Sequence, residues 1–314
     1  MFSAYSCLAL AMIIVGSSVV AGSIMIQDLP VYVASLARFV LAVVLLVPIL
    51  VVREGGFPRL SLRSWCVFCA QGLCGSFLFT VLLLYGLRLT DPASAGIITS
   101  TTPACMGIMG WLFLKERPSL RIAGGVFLSV AGIMLLNLTE AGSDGSSVWG
   151  NVMVIGAVVA ESLFLLLRKW VREPVSPLAA ATMVSLFGLL WFLPAGAWEL
   201  TTLDLAAVSA RAWWAVAYYG VFVTVLAYLF WFAGIVTVPA PVAGLFTGIM
   251  PVSAVLCSVL VLGQRPDWTH YVGCGCVLVA LAVLSDVFSM VRRRGGRRFS
   301  TSKQCAAASS KENV

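Results

Sequence analysis

Ten apolar stretches, each about the twenty residues that a helix needs to cross a bilayer, follow one another along this chain. They run 4–26, 30–52, 65–87, 92–114, 119–138, 148–169, 177–198, 211–232, 239–262 and 268–290. Turn-forming breaks separate them, among them Gln27-Asp28-Leu29-Pro30, Thr90-Asp91-Pro92, Lys115 to Pro118, Arg172 to Pro177 and Gln264 to Asp267. The pattern predicts an all-α membrane protein with ten transmembrane helices. Composition agrees: 61% of the 314 residues are hydrophobic and 11% are charged. A soluble domain carries roughly 25% charged residues, so a soluble enzyme, a disordered chain and a disulfide scaffold are all disfavoured. The first stretch lacks the basic start and small-residue cleavage site of a signal peptide, and is read as a span.

Charge position gives the expected orientation. With the N-terminus inside, sixteen of the twenty Lys and Arg residues fall in inner loops or the tail, and Arg88, Arg211 and Arg265 fall outside. That bias places both termini in the cytoplasm of a plasma-membrane protein. Five arginines between Arg292 and Arg298 open a basic tail, 291–314, expected to be disordered. The net charge of +7 therefore reflects a flank facing anionic lipid and predicts no nucleic-acid partner. Nine tryptophans, Trp231 included, fall near segment ends, where indoles suit the membrane interface.

The chain also repeats itself. Shifting residues 86–135 by 148 positions aligns ten identities in fifty columns without a gap. Gly86 meets Gly234, Gly96 meets Gly244, Thr99 meets Thr247, Pro103 meets Pro251, and Arg117-Pro118 meets Arg265-Pro266. Residues 4–138 and 148–290 become two five-helix units. An odd helix count makes the second enter the membrane from the opposite side, giving inverted repeats around a midplane site.

The segment Leu112-Phe113-Leu114-Lys115-Glu116-Arg117-Pro118, followed by Gly124-Gly125 and Gly132, resembles the end of an EamA repeat, as Ala37-Arg38-Phe39 resembles its second span. Over nearly residues 4–290 the chain is similar to the drug/metabolite transporter superfamily. The resemblance implies a secondary transporter exporting amino acids or related small metabolites by alternating access, with proton coupling. One departure is visible: the acidic residue after the fourth helix is Glu116 in the first copy and Gln264 in the second. A sugar-phosphate or nucleotide-sugar exchanger, a lipid flippase and a non-transporting scaffold are the alternatives. A homodimer is left open.

Charge inside the membrane is costly, so the few charged residues there mark the expected site. Arg38 lies ~12 Å and Glu161 ~20 Å from the outer end at ~1.5 Å per residue. Arg38 is expected to hold an anionic group, and Glu161 a proton or a substrate amine; the alternative is a fixed pair. Pro103 and Pro251 predict kinks in helices four and nine, with the Thr99 and Thr247 hydroxyls near the freed carbonyls. Ser100 adds polarity there. Gly96 and Gly244 predict close helix approach. Ser17, Gln71, Tyr218 and Tyr219 are further cavity candidates, while Tyr228 and Trp231 are assigned to the inner aromatic belt. His270 is the only histidine, no phosphate-binding loop is present, and Cys66 and Cys69 read as buried thiols. No enzyme chemistry, cofactor or metal is expected.

Overall fold

A computed structural model describes residues 3–89, 98–99, 101–116, 119–137, 148–262, 268, 271–276 and 278–279. Among them every regular element is helical and none is a strand. Helix α1 is Ala4–Met25, α2 is Val31–Glu54, and α3 comprises Leu62–Gly72, a π-helical Leu73–Leu78 and Phe79–Leu89. Helix α4 is Thr102–Leu114, α5 is Leu120–Asn137, and α6 is Val148–Leu167 with a tight last turn Arg168–Trp170. Helix α7 is Pro177–Leu200, and α8 comprises Ala210–Tyr218, a π-helical Tyr219–Leu226 and Ala227–Ile235. Helix α9 is broken at Gly248 into Ala240–Thr247 and Ile249–Leu262.

Among the described residues, seven helices are long and apolar enough to span a membrane, and Thr102–Leu114 and Ala123–Gly132 are shorter apolar helices. Most of the tenth apolar stretch, the 291–314 tail, Gly96, Ser100, Gln264, Asp286 and both Arg-Pro pairs lie outside the described residues. Large apolar side chains are widely exposed on the helices, Val52 at 84% and Leu260 at 80%. Such a surface suits lipid and would drive aggregation in water. Trp149, Trp198, Trp214 and Trp268 are exposed near helix ends, in keeping with interfacial anchoring.

The 148-residue offset reappears in the helices. The π segments end at Leu78 and Leu226, and their helices start at Leu62 and Ala210; both pairs are 148 apart. Packing repeats as well. A Cβ on Gly86 would come within 2.8 Å of Val154 on α6, and one on Gly234 within 2.7 Å of Leu8 on α1. Only a residue without a side chain lets α3 approach α6, and α8 approach α1, this closely. Between them α2 packs along α7, with Phe39 stacked on Phe192 at 5.9 Å.

Serine hydroxyls start four of the helices: Ser3, Ser61, Ser176 and Ser209 each accept a hydrogen bond from the amide three residues on. Carboxylates from other loops then tie three of these starts down. At one end of the bundle Ser176 Oγ donates to Glu54 at 2.7 Å, and Glu173 accepts from the Ser61 amide at 3.1 Å and from the Ser61 and Ser64 hydroxyls. At the other end the Ser209 amide and hydroxyl donate to Asp28, the amide at 3.2 Å. The first end also holds Arg53, Arg59, Arg63, Lys115, Lys169 and Arg172 and is called the basic end. Arg168, counted among the inner-loop cations, is 4% exposed there, and its guanidinium donates to the Val175 carbonyl.

Candidate functional site

A cavity of about 120 Å³ lies where α1, α2, α3, α6, α8 and α9 converge. That is room for several waters or one small solute, since a water occupies roughly 30 Å³ in the liquid. Both π segments contribute to its wall, through Gly75 on α3 and Tyr219, Val223 and Thr224 on α8. A π turn swells a helix locally and turns side chains out of the regular register, a common device at functional sites.

Arg38 and Glu161 both line this cavity, as does Thr247. The two charges do not pair: among the described residues the one ion pair is Lys169–Glu116, at 2.9 Å. The Arg38 guanidinium sits between two aromatic faces, 4.7 Å from the Phe39 ring and 4.8 Å from the Tyr219 ring. Ring quadrupoles attract the cation without consuming its donors. Its Nε is buried and has no hydrogen-bond partner among the described residues. Among the described residues, Glu161 accepts one hydrogen bond, from the Thr102 hydroxyl at 3.2 Å. A cation with an unused donor and a carboxylate with unused acceptor capacity thus face one small space. An unmet buried donor costs about 1–3 kcal/mol, so the arrangement favours a bound group or water that completes it.

The proline helices differ from a simple kink. Pro103 lies within the first turn of α4, which starts at Thr102, with Thr101 in a turn before it. The Thr99 carbonyl accepts at 2.8 Å from the Thr102 hydroxyl, which it shares with Glu161. In the second copy α9 breaks at Gly248, three residues ahead of Pro251. The Thr247 hydroxyl donates back to the Gly244 carbonyl at 2.6 Å, which leaves the carbonyl freed by Pro251 to other partners. Gly244 itself faces α4: a Cβ there would meet Met106 and the Pro103 carbonyl, each at 3.1 Å.

Other candidates sit elsewhere. Gln71 is fully buried and donates to the Phe164 carbonyl at 2.7 Å, clamping α3 to α6 outside the cavity wall. Ser17 bonds to the Ile14 carbonyl and to the Tyr218 hydroxyl, both at 2.7 Å, and Tyr218 is 36% exposed and stacked on Phe222. Helical rotation turns Tyr219 into the cavity in place of its neighbour. Trp231 and Tyr228, expected in the inner belt, line the cavity instead. Trp231 is 2% exposed and donates to the Leu165 carbonyl at 3.2 Å. Sequence reasoning also passed over Thr80 and Thr224. A faint signal existed: at the 148-residue offset Ser76 pairs with Thr224 and Thr80 with Tyr228, polar in both copies without being identical.

The basic end is cross-linked by one carboxylate. Lys169 at the end of α6 pairs with Glu116 after α4, and the second oxygen of Glu116 accepts from the Ala240 amide at the start of α9. A carboxylate is favoured at a helix N-terminus by the orphan amides and the dipole. One side chain therefore joins three helix ends.

The EamA-like transporter family model matches twice, at residues 2–138 and 148–286. The uncharacterized transporter YetK of Bacillus subtilis is 42% identical over 283 residues, covering 89% of this chain and 86% of that protein. Solute carrier family 35 member G1 of Mus musculus is 30% identical over 143 residues, 42% of this chain and 38% of its own. A solved crystal structure of a protein superposes with a TM-score of 0.76 over 90% of this chain and 98% of that one, at 17% identity, a likeness of fold alone.

Proposed function

The chain belongs to the EamA-like transporter family, and from that premise we propose that this multi-pass membrane protein moves a small metabolite through the Arg38–Glu161 cavity by alternating access. The observation that carries the reading is the unpaired state of the two cavity charges. A fixed structural pair would neutralise itself, whereas two separated groups can each take a complementary group of a passing solute. Arg38 binds a carboxylate or similar anion, and Glu161 binds an ammonium or a proton. Exchange of access follows from the inverted pair of five-helix units, with the broken α9 and the start of α4 lying between them. In this reading the basic end faces the cytoplasm of the plasma membrane, the substrate is an amino acid or related metabolite leaving the cell, and inward proton movement drives it.

Comparing metabolites accumulated by cells with and without the protein identifies the solute. Its flux from proteoliposomes under a pH gradient then tests the site. Glu161→Gln is expected to abolish pH-driven flux while leaving the protein folded, since glutamine still accepts from Thr102. Arg38→Gln is expected to cut the flux of an anionic solute at least tenfold, the worth of one lost charge-assisted hydrogen bond of about 1.5–3 kcal/mol. Unchanged pH-driven flux in Glu161→Gln overturns the assignment.

A further inference from the structure

A second pocket, of about 240 Å³, opens at the end of the bundle opposite the basic end. Its wall combines the α1–α2 turn, from Ile26 to Tyr32, with Thr80 and Tyr85 of α3 and Glu199 of α7. Ile26 and Tyr85 are 49% and 44% exposed, which marks its mouth. Thr80 lines this pocket and the central cavity alike, so the two spaces adjoin at one side chain. Thr80 Oγ1 donates to the Ser76 carbonyl at 2.7 Å, leaving its lone pairs turned to other groups.

Glu199 is the informative group. Its Oε2 is buried and has no hydrogen-bond partner among the described residues. A buried carboxylate oxygen without a donor is costly, and a ligand that brings a cation relieves the cost. Tyr32 and Tyr85 offer aromatic rings in the same wall. Ring faces attract alkylated ammonium groups, which shed water easily, more than small hydrated metal ions. We infer that this pocket is a vestibule that binds an organic ammonium group on Glu199 and exchanges it past Thr80 with the central cavity. The inference rests on the proposed passage of solute through that cavity. It adds a second carboxylate station on the route, at the end where the Glu116 latch has no part. The second copy supplies this station alone: α2 and α7 start, end and carry their inner prolines 146 positions apart, which sets Arg53 opposite Glu199.

The test is thiol labelling of Thr80→Cys and Val81→Cys in nanodiscs, with cationic trimethylammonium, anionic sulfonate and neutral methyl thiosulfonates. Modified peptides are read by mass spectrometry, so the native cysteines stay in place. At both positions the cationic reagent is expected to outpace the anionic one roughly tenfold, the scale of a nearby unscreened charge. In Glu199→Gln that ratio should fall to near one. Tetramethylammonium chloride should slow labelling of Val81→Cys by the neutral reagent, and equal sodium chloride should not. Tyr85→Leu, which keeps Glu199, should weaken that protection and serves if Glu199→Gln does not fold. A cationic preference that survives Glu199→Gln, cysteines inert to all three reagents, or equal protection by sodium each overturns the vestibule. Because labelling reads no flux, absent transport with an intact Glu199-dependent preference would strike the transport reading and leave the vestibule standing.

Discussion

The two ends of the bundle are built from the same packing and differ in where their carboxylates go. At the basic end Glu54, Glu116 and Glu173 are all spent on helix starts, and Glu116 also holds Lys169. At the opposite end Asp28 is spent in the same way on Ser209, but Glu199 keeps a buried oxygen with no partner, beside an open pocket. The apolar framework does not set this difference: the close approaches at Gly86 and Gly234 fall at opposite ends and are near-equal in tightness. The contrast lies in a few charged side chains: the carboxylates named at one end are bonded to helix starts, and Glu199 at the other keeps an unmet oxygen among the described residues.

The largest expected effect comes from undoing the latch. Lys169 is 9% exposed in the pair and Glu116 29%. Lys169→Met would leave a part-buried carboxylate without its counter-ion, at a cost of about 2–3 kcal/mol, below the range for fully buried pairs. Roughly a 30- to 150-fold shift toward opening at the basic end follows. Double electron–electron resonance between spin labels on α4 and α9 would read it; an unchanged distance distribution would mean the latch does not set the closed state. Next in size is valine at the paired glycines. Gly86→Val and Gly234→Val should each destabilise by about 1–3 kcal/mol through overpacking. Thermal unfolding in detergent checks this, and a large inequality would show that the ends differ in packing as well as charge.

The smallest effect is at Glu173. Hydrogen bonds from the Ser61 hydroxyl first, then the Ser64 hydroxyl and the local amides, hold its carboxylate down at about 2 against an ordinary 4.5. A depressed folded-state value stabilises the fold above the unfolded value and loses that contribution as pH falls from about 4.5 toward 2. Glu173→Gln should flatten the acid limb of the stability profile in that window only. A profile matching the parent protein would remove the bond's weight.

Much of this was legible in the chain. Apolar run length forecast the helices because spanning a bilayer imposes it, and Gly244, expected to permit close helix approach, does so against Met106 and the Pro103 carbonyl. Arg38 and Glu161 were legible because desolvation makes an idle charge expensive. Rotational detail was not. The π segments shift the register of α3 and α8, so Tyr219 enters the cavity and Tyr218 does not, and Gln71 clamps a backbone carbonyl instead of facing solute. Nothing in local sequence marks the lost turn. Trp231 was misread for a related reason: proximity to a segment end suggested an interface, whereas α8 turns that face inward onto α6.

In the proposed function, one cavity between Arg38 and Glu161 exchanges access between the two ends of the bundle. Thr247 is 7% exposed and lines that cavity. Labelling of Thr247→Cys by a membrane-impermeant maleimide, applied to one face or the other of oriented vesicles, tests this most directly. The expected result is reaction from the Glu199 face in the otherwise unaltered protein, and gain of reaction from the basic face when Lys169→Met is added. A thiol that stays inert from both faces in both backgrounds would contradict the account, and would make the cavity a sealed packing defect.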